Sequence, residues 1–338
     1  MDLVTGATGH IGNVLVRQLL ARGERVRALV RPGKLPLALQ GLDVEIIPGD
    51  VLDTESLARA MRDVKVVYHL AAKINLGTGP DAETVLINLE GTRNVIVAAR
   101  REGVRRLAYA SSIYALRIPA RGLVDEALPF DPEHARGVYD RSKAAASLEV
   151  QEVAGKGLET VLLCPTAVAG PYDFHDSEAG RGLRYNMSPG LKFYVDGAYD
   201  FVDVRDAAQG FILAAEKGRS GETYILGGDR LTVREVAETV WEATDCPCPS
   251  VKIPLWLARL AAEAAPLAAG LTGTKPFFTR YSLDAVCSNS NISHLKAARE
   301  LGFRPRPARQ AIRDSVRWWQ DWQTETAPQP ETIANAAA

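Results

Sequence analysis

Val4-Thr5-Gly6-Ala7-Thr8-Gly9-His10-Ile11-Gly12 is the stretch whose reading decides the fold. It joins a short strand-like run, residues 2–5, to an amphipathic helical pattern over residues 11–21. Gly6 permits a tight turn, Gly9 lets the backbone approach a pyrophosphate, and Gly12 lets the helix pack closely on a sheet. The phosphates then meet the N–H groups and the positive dipole end of that helix. G-x-x-G-x-x-G spacing between a strand and a helix therefore points to a dinucleotide turn, with Thr8, His10 and Ile11 completing its cofactor contacts.

Outward from this turn, short β-branched runs at 25–30, 44–48, 66–69, 106–110, 160–164 and 222–226 alternate with helical patterns at 55–61, 82–101 and 139–153. Such alternation predicts an α/β fold: a Rossmann-type doubly wound parallel sheet with helices on both faces. Ligands of such a sheet bind outside the carboxyl ends of its strands, where the strand order switches. Residues 169–200 are rich in Gly, Pro, Asp and aromatics with little periodicity, and are expected to form a binding loop or lid. Helices at 231–244 and 255–271 lie outside the sheet. The expected division is a Rossmann NAD(P)-binding domain at 1–168, to which 201–226 returns. A smaller C-terminal substrate-binding region takes 169–200 and 227–322, and 323–338 is a polar, disordered tail.

Composition narrows the partners. The 338 residues suffice for a sizeable core. With 40 Lys and Arg against 41 Asp and Glu, the net charge is −1, and nothing calls for a nucleic-acid partner. Cys246 and Cys248 are too closely spaced for zinc and no histidine cluster adjoins them, so no metal is expected. Four cysteines in so long a chain suggest a reducing, cytoplasmic setting. A strand beginning at residue 2 leaves no room for a signal peptide. The apolar stretch 255–271 carries Arg259, Glu263 and Pro266, which argue against a stable membrane span and for a packed helix, with a membrane-surface helix as the alternative.

The second strand ends in Val30-Arg31-Pro32, offering an arginine for a 2′-phosphate and no acid for a ribose 2′-hydroxyl. NADP is favoured and NAD stays open. Asp50, after the third strand, is placed to accept from the adenine amino group. The catalytic candidates are Tyr139 and Lys143, whose i, i+4 spacing puts both on one helix face. A free phenol titrates near about 10; a nearby ammonium is expected to lower that value and so fit the tyrosine for acid–base work on a carbonyl or alcohol. Ser111 and Ser112 follow the strand at 106–110. Ser112 is the residue chosen to polarise the carbonyl oxygen, and Ser111 reads as a cap or turn residue.

Together these residues resemble the extended short-chain dehydrogenase/reductase superfamily, from Leu3 to about Trp319. Gly49-Asp50-Val51, His69-Leu70-Ala71-Ala72, Asn88-Leu89-Glu90-Gly91-Thr92, Cys164-Pro165-Thr166 and Phe201-Val202-Asp203-Val204-Arg205-Asp206 carry the likeness. Within it the chain is similar to dihydroflavonol reductase-like and hopanoid-associated sugar epimerase-like proteins, through Val30-Arg31-Pro32-Gly33, Tyr224-Ile225-Leu226-Gly227-Gly228 and Glu300-Leu301-Gly302-Phe303-Arg304-Pro305. The resemblance implies that Val51, Leu70, Ala71 and Ala72 line the cofactor. It makes Asn88 a support for the active-site helix, sets Pro165 and Val168 beside the nicotinamide, and suggests a homodimer formed through the helices near Ala82 and Tyr139.

Three functions follow from this reading. The first is NAD(P)-dependent reduction of a ketone or aldehyde, or oxidation of the alcohol, by a Ser-Tyr-Lys triad. The second is an NAD-dependent sugar epimerase that retains its cofactor. Gly197-Ala198-Tyr199-Asp200 stands where nucleotide-sugar epimerases usually carry a diphosphate-gripping arginine, leaving only Arg181 and Arg184 as substitutes. The third is a non-catalytic dinucleotide sensor, which such relatives usually become by losing the tyrosine or lysine. Aromatic residues at Phe193, Tyr194, Phe277, Phe278 and Tyr281 suggest an apolar or aromatic ligand, and core packing accounts for them equally well.

Overall fold

The computed structural model describes residues 1–33, 36–77, 79–272 and 279–326, with the side chains of 264–272 and 325–326 excepted. β1 (Asp2–Thr5) buries both its faces: Leu3 points into one apolar cluster with Leu57, Val95 and Ala146, and Val4 into another with Val14, Leu15 and Phe211. A strand apolar on both sides needs helices over both faces. α1 (His10–Ala21) covers one face and returns the chain to β2 (Val26–Val30) and β3 (Glu45–Pro48). α2 (Thr54–Met61), capped by Asp53, leads to β4 (Val66–His69).

The helix expected over 82–101 is broken into three. α3 (Ala82–Val85) gives way to a single π turn at Leu86–Glu90, and then to α4 (Gly91–Arg101). β5 (Arg106–Ala110), α5 (Val138–Glu152) and β6 (Glu159–Pro165) complete the first part.

Residues 169–200 are more regular than their composition suggests. β7 (Ala167–Ala169), α6 (Glu178–Met187) and β8 (Lys192–Tyr194) precede β9 (Ala198–Asp203). These elements are short, and α6 buries only Gly180 and Leu183, so hydrophobic periodicity could not announce them. β9 pairs with β7 and with β11 (Asp229–Thr232) in a separate three-stranded sheet. Residues 201–203 thus lie in that small sheet, and the return to the large one begins with α7 (Val204–Lys217), which packs on α1.

β10 (Thr223–Leu226) closes the main sheet, whose order is β10-β6-β5-β4-β1-β2-β3 with every pairing parallel. The order reverses between β1 and β4, so the crevice outside their carboxyl ends is the expected ligand site. Beyond it come α8 (Val233–Thr244), β12 (Ser250–Lys252) paired with β8, α9 (Leu255–Thr272), α10 (Arg280–Val286), α11 (Leu295–Leu301) and α12 (Ala308–Thr326). α11 packs on α7 and β10, against the large sheet. α12 runs to Thr326, past the expected start of the tail at 323; the rest of that tail lies outside the described residues. No helix among the described residues is long and apolar enough to cross a membrane.

Side-chain pairs bind the two parts. Arg306 grips Asp206 on α7 through both carboxylate oxygens, and Arg205 reaches Asp203 at 2.6 Å and Asp314 on α12 at 2.5 Å. Thr232 and Glu235 form a reciprocal capping box at the start of α8. Thr232→Ala removes the oxygen that accepts from the Glu235 N–H, and is expected to cost about 1 kcal/mol in chemical denaturation.

Candidate active site

The glycine turn is shaped by steric necessity. Gly6 has φ +69°, and a Cβ there would stand 2.6 Å from the Ala71 nitrogen and the Leu70 carbonyl carbon, so the chain leaving β4 crosses directly over it. A Cβ on Gly12 would lie 2.1 Å from the Gly6 carbonyl oxygen. Gly9 is the N-cap of α1, which has no side-chain cap and no acid in its first turn. An α-helix begins with N–H groups that lack intrahelical partners. Left uncapped in a cradle with no room for a Cβ, they fit the pyrophosphate of a dinucleotide.

Of the other expected cofactor residues, Leu70 and Ala71 cross over this turn. Thr8 and Ile11 are half-buried beside it. Leu70 and Ala71 are half-buried, Ala72 is exposed, and Val51 is buried. Asp50 accepts from the Leu52 N–H at 2.9 Å, holding the turn after β3. Arg31 is exposed at the end of β2. Pro165 ends β6 and Val168 lies half-buried in β7. The His10 ring is taken up elsewhere: its Nε2 lies 3.0 Å from the Pro171 carbonyl, and burial pushes its pKa down.

The strand–helix frame brings the catalytic candidates together. Ser111 and Ser112 are buried just past β5. Ser112 Oγ accepts from the Tyr114 N–H at 3.2 Å, so the capping role expected of Ser111 falls to Ser112. Ser111 Oγ instead pairs with Ser147 Oγ on α5 at 2.7 Å. Tyr139 and Lys143 lie in the first turns of α5. Lys143 is 2 % exposed, and its Nζ donates to the Ala110 carbonyl and stands 4.4 Å from the Tyr109 ring centre.

The electrostatics depart from the sequence expectation. Burial pushes the Tyr139 phenol above its ordinary value, the Asp140 charge pushes the same way, and a hydrogen bond with Ser112 opposes them. Lys143 does not reverse this: its ammonium is spent on the Ala110 carbonyl, and burial brings it down to about 7. Desolvation of a charged phenolate is the dominating effect. Tyr139 is therefore held as the protonated phenol.

Asn88, in the π turn, is 1 % exposed. Its Oδ1 accepts from the Lys73 N–H at 2.8 Å, and its Nδ2 donates to the Lys73 carbonyl at 3.0 Å and to Ser142 Oγ at 2.9 Å. Ser142 Oγ in turn reaches the Tyr139 carbonyl at 2.8 Å. The π turn thus ties the chain after β4 to the helix bearing Tyr139. A second chain was not foreseen. Thr92 Oγ1 donates to the Asn88 carbonyl at 2.7 Å, His69 Nε2 lies 3.1 Å from Thr92 Oγ1, and His69 Nδ1 lies 2.7 Å from Thr5 Oγ1. Burial holds His69 neutral, its pKa pushed down to about 3. The sequence signal was the His69-Leu70-Ala71-Ala72 run itself, which names the histidine without its partners.

Arg181 and Arg184 do not reach the site: Arg181 pairs with Glu178 at 2.5 Å, and Arg184 pairs with Asp176 and lies over the Trp319 ring. Tyr199 and Asp200 line a small cleft with Tyr114, Thr166, Asn289 and Ser290. Phe277 and Phe278 lie outside the described residues.

Residues 3–227 match the model of the NAD dependent epimerase/dehydratase family. The chain is 36 % identical over 321 residues to sterol demethylase protein B of Methylococcus capsulatus, covering 94 % of this chain and 98 % of that protein. It is 30 % identical to a putative dihydroflavonol 4-reductase of Synechocystis sp., covering 94 % of each. Among solved structures, the crystal structure of gox2253 superposes with a TM-score of 0.82 at 34 % identity, over 95 % of this chain and 98 % of its own. A nucleoside-diphosphate-sugar epimerase from Pseudomonas aeruginosa gives 0.74 at 25 %, over 95 % and 97 %.

Proposed function

This chain belongs to the NAD dependent epimerase/dehydratase family, and from that premise we propose that it is a carbonyl reductase working with an exchangeable nicotinamide dinucleotide, NADP in preference to NAD. The observation that carries the reading is Tyr139, a half-buried residue whose phenol is kept protonated by desolvation beside Ser112 at the mouth of β5. A proton donor is what ketone reduction asks of the protein. When bound, the dinucleotide would supply the hydride for the carbonyl carbon. Ser112 Oγ–H holds the carbonyl oxygen, and Tyr139 gives its phenolic proton to that oxygen as the alcohol forms. Lys143, whose Nζ donates to the Ala110 carbonyl, would hold the nicotinamide ribose. Asn88 keeps α5 in register through Ser142.

The similarity to a dihydroflavonol 4-reductase and to a ketoreductase of Stigmatella aurantiaca, 29 % identical over 323 residues, supports reduction over epimerisation. So does the segment before Phe201, where an acid, Asp200, occupies the cleft and neither loop arginine does. The working enzyme is proposed to be a cytoplasmic homodimer formed through α4 and α5.

Two variants test the assignments. Ser112→Ala is expected to lower kcat/KM for ketone reduction about tenfold to a hundredfold, the loss of one hydrogen bond to a buried oxygen. An unchanged kcat/KM would remove Ser112 from the mechanism. Arg31→Ala is expected to weaken NADP binding about tenfold, one charge-assisted phosphate contact, and leave NAD binding nearly unmoved. Equal weakening of both, read by fluorescence titration, would refute the 2′-phosphate role.

A further inference from the structure

Arg136, three residues before Tyr139, is half-buried and faces Asp140, directly after Tyr139, whose carboxylate is buried. Asp140 is 1 % exposed. Its Oδ1 accepts from the Tyr281 hydroxyl on α10 at 2.6 Å. Its Oδ2 is buried without a hydrogen bond among the described residues, and lies 3.6 Å from Arg136 Nε, beyond a good hydrogen bond. Arg136 Nη1 is also buried and without a hydrogen-bond partner among the described residues. The guanidinium sits 4.4 Å over the Tyr114 ring, and Tyr114 packs edge-on against Tyr281 with centroids 6.4 Å apart. Gly137 closes the frame, since a Cβ there would meet the Tyr281 ring at 3.2 Å.

This frame adjoins, through Tyr114, the small cleft lined by Tyr199 and Asp200. Tyr114 donates its N–H to Ser112 Oγ and is itself a wall of the cleft. Two buried polar atoms, one an acceptor and one a donor, are costly to leave unmet. A second carboxylate would satisfy Arg136 but face the Asp140 charge. An ammonium would satisfy Asp140 and face Arg136. A carbonyl would leave Oδ2 bare. A hydroxyl meets both, donating to Asp140 Oδ2 and accepting from Arg136 Nη1.

We propose that Arg136 and Asp140 form a hydroxyl-recognition subsite, and that the substrate carries a hydroxyl in addition to the carbonyl reduced at Tyr139. The inference rests on the reductase reading for where the carbonyl lies, and the binding test below does not depend on turnover. The full chain, loaded with NADP⁺, is titrated calorimetrically with cyclohexanol and with the 1,2-, 1,3- and 1,4-cyclohexanediols. At least one diol is expected to bind about tenfold tighter than cyclohexanol, the value of a hydrogen bond to a charged group. Asp140→Asn and Arg136→Gln are expected to bring that ratio to about one. Arg136→Lys keeps the positive charge beside Asp140 but not the Nη1 donor, and is expected to lose the ratio too while still binding dinucleotide. Equal binding of every diol and cyclohexanol, the result of a bridging water only, would overturn the proposal, as would a ratio that survives all three variants. Reduction of cyclohexanone and the hydroxycyclohexanones is followed separately. Its absence beside an intact diol ratio would sink the reductase reading and leave the subsite standing.

Discussion

Tyr139→Phe is expected to lower kcat/KM for ketone reduction by about 10²–10⁴-fold, the usual scale of a positioned general acid. The ring fills the same space, so the packing of α5 against β5 stays, and only the proton at the reacting oxygen is removed. Dinucleotide binding should therefore persist in the variant, measured by fluorescence titration alongside the kinetics. The direction of the Tyr139 shift adds a pH signature. Burial and the Asp140 charge both raise its pKa, so the phenol stays protonated through neutral pH. Reduction should then hold from neutral into mildly alkaline solution and fail only where the phenol ionises. Oxidation of the alcohol, which needs the base form, should rise over that same alkaline range. Wild-type turnover surviving in Tyr139→Phe would remove the central acid from the account.

Gly12→Ala is expected to weaken dinucleotide binding about a hundredfold and to cost about 2–3 kcal/mol of stability, an overpacking penalty against atoms that cannot rotate away. The added Cβ would stand 2.1 Å from the Gly6 oxygen, 2.9 Å from its carbonyl carbon and 3.0 Å from the Ala7 Cα, all of them backbone. Relief requires the whole turn to move, and that turn is the pyrophosphate cradle. Gly9→Ala is the internal comparison. Its Cβ would meet only the Gly6 oxygen at 3.3 Å, so its stability cost should be the smaller of the two. Thermal denaturation and NADP titration of both variants check the order.

The large sheet was legible in the sequence because its strands are short apolar runs and its helices carry long apolar faces. The strands expected at 2–5, 66–69 and 106–110 are found with those bounds, and the others shift by a residue or so at an end. The π turn at Leu86–Glu90 was not legible, since a helix that gains one residue per turn keeps nearly the same hydrophobic pattern. Its consequence is the placement of Asn88 under Ser142, which spacing alone does not give. The two small sheets were missed in part because three-residue strands such as β7 and β8 carry too few positions for a period of two to show.

The candidate catalytic residues were legible as residues, and their electrostatics were not. Tyr139 and Lys143 at i, i+4 suggested an ammonium lowering a phenol. Burial of both groups, and the Ala110 carbonyl that holds Lys143, decide the opposite direction. Arg136, Asp140 and Tyr281 show the same limit. Tyr281 stands 141 positions from Asp140, and only the docking of α10 on α5 brings the hydroxyl to the carboxylate.

In the proposed reaction, hydride would pass from an exchangeable dinucleotide to an external carbonyl while Tyr139 gives the proton. The direct test is mass spectrometry of the alcohol formed when the protein is incubated with 4-deuterated NADPH and a panel of ketones that includes the hydroxycyclohexanones. One deuterium is expected on the carbinol carbon of the product, and Tyr139→Phe is expected to form that labelled alcohol about 10²–10⁴-fold more slowly. A dinucleotide that remains bound while no member of the panel acquires deuterium would contradict the proposed reaction.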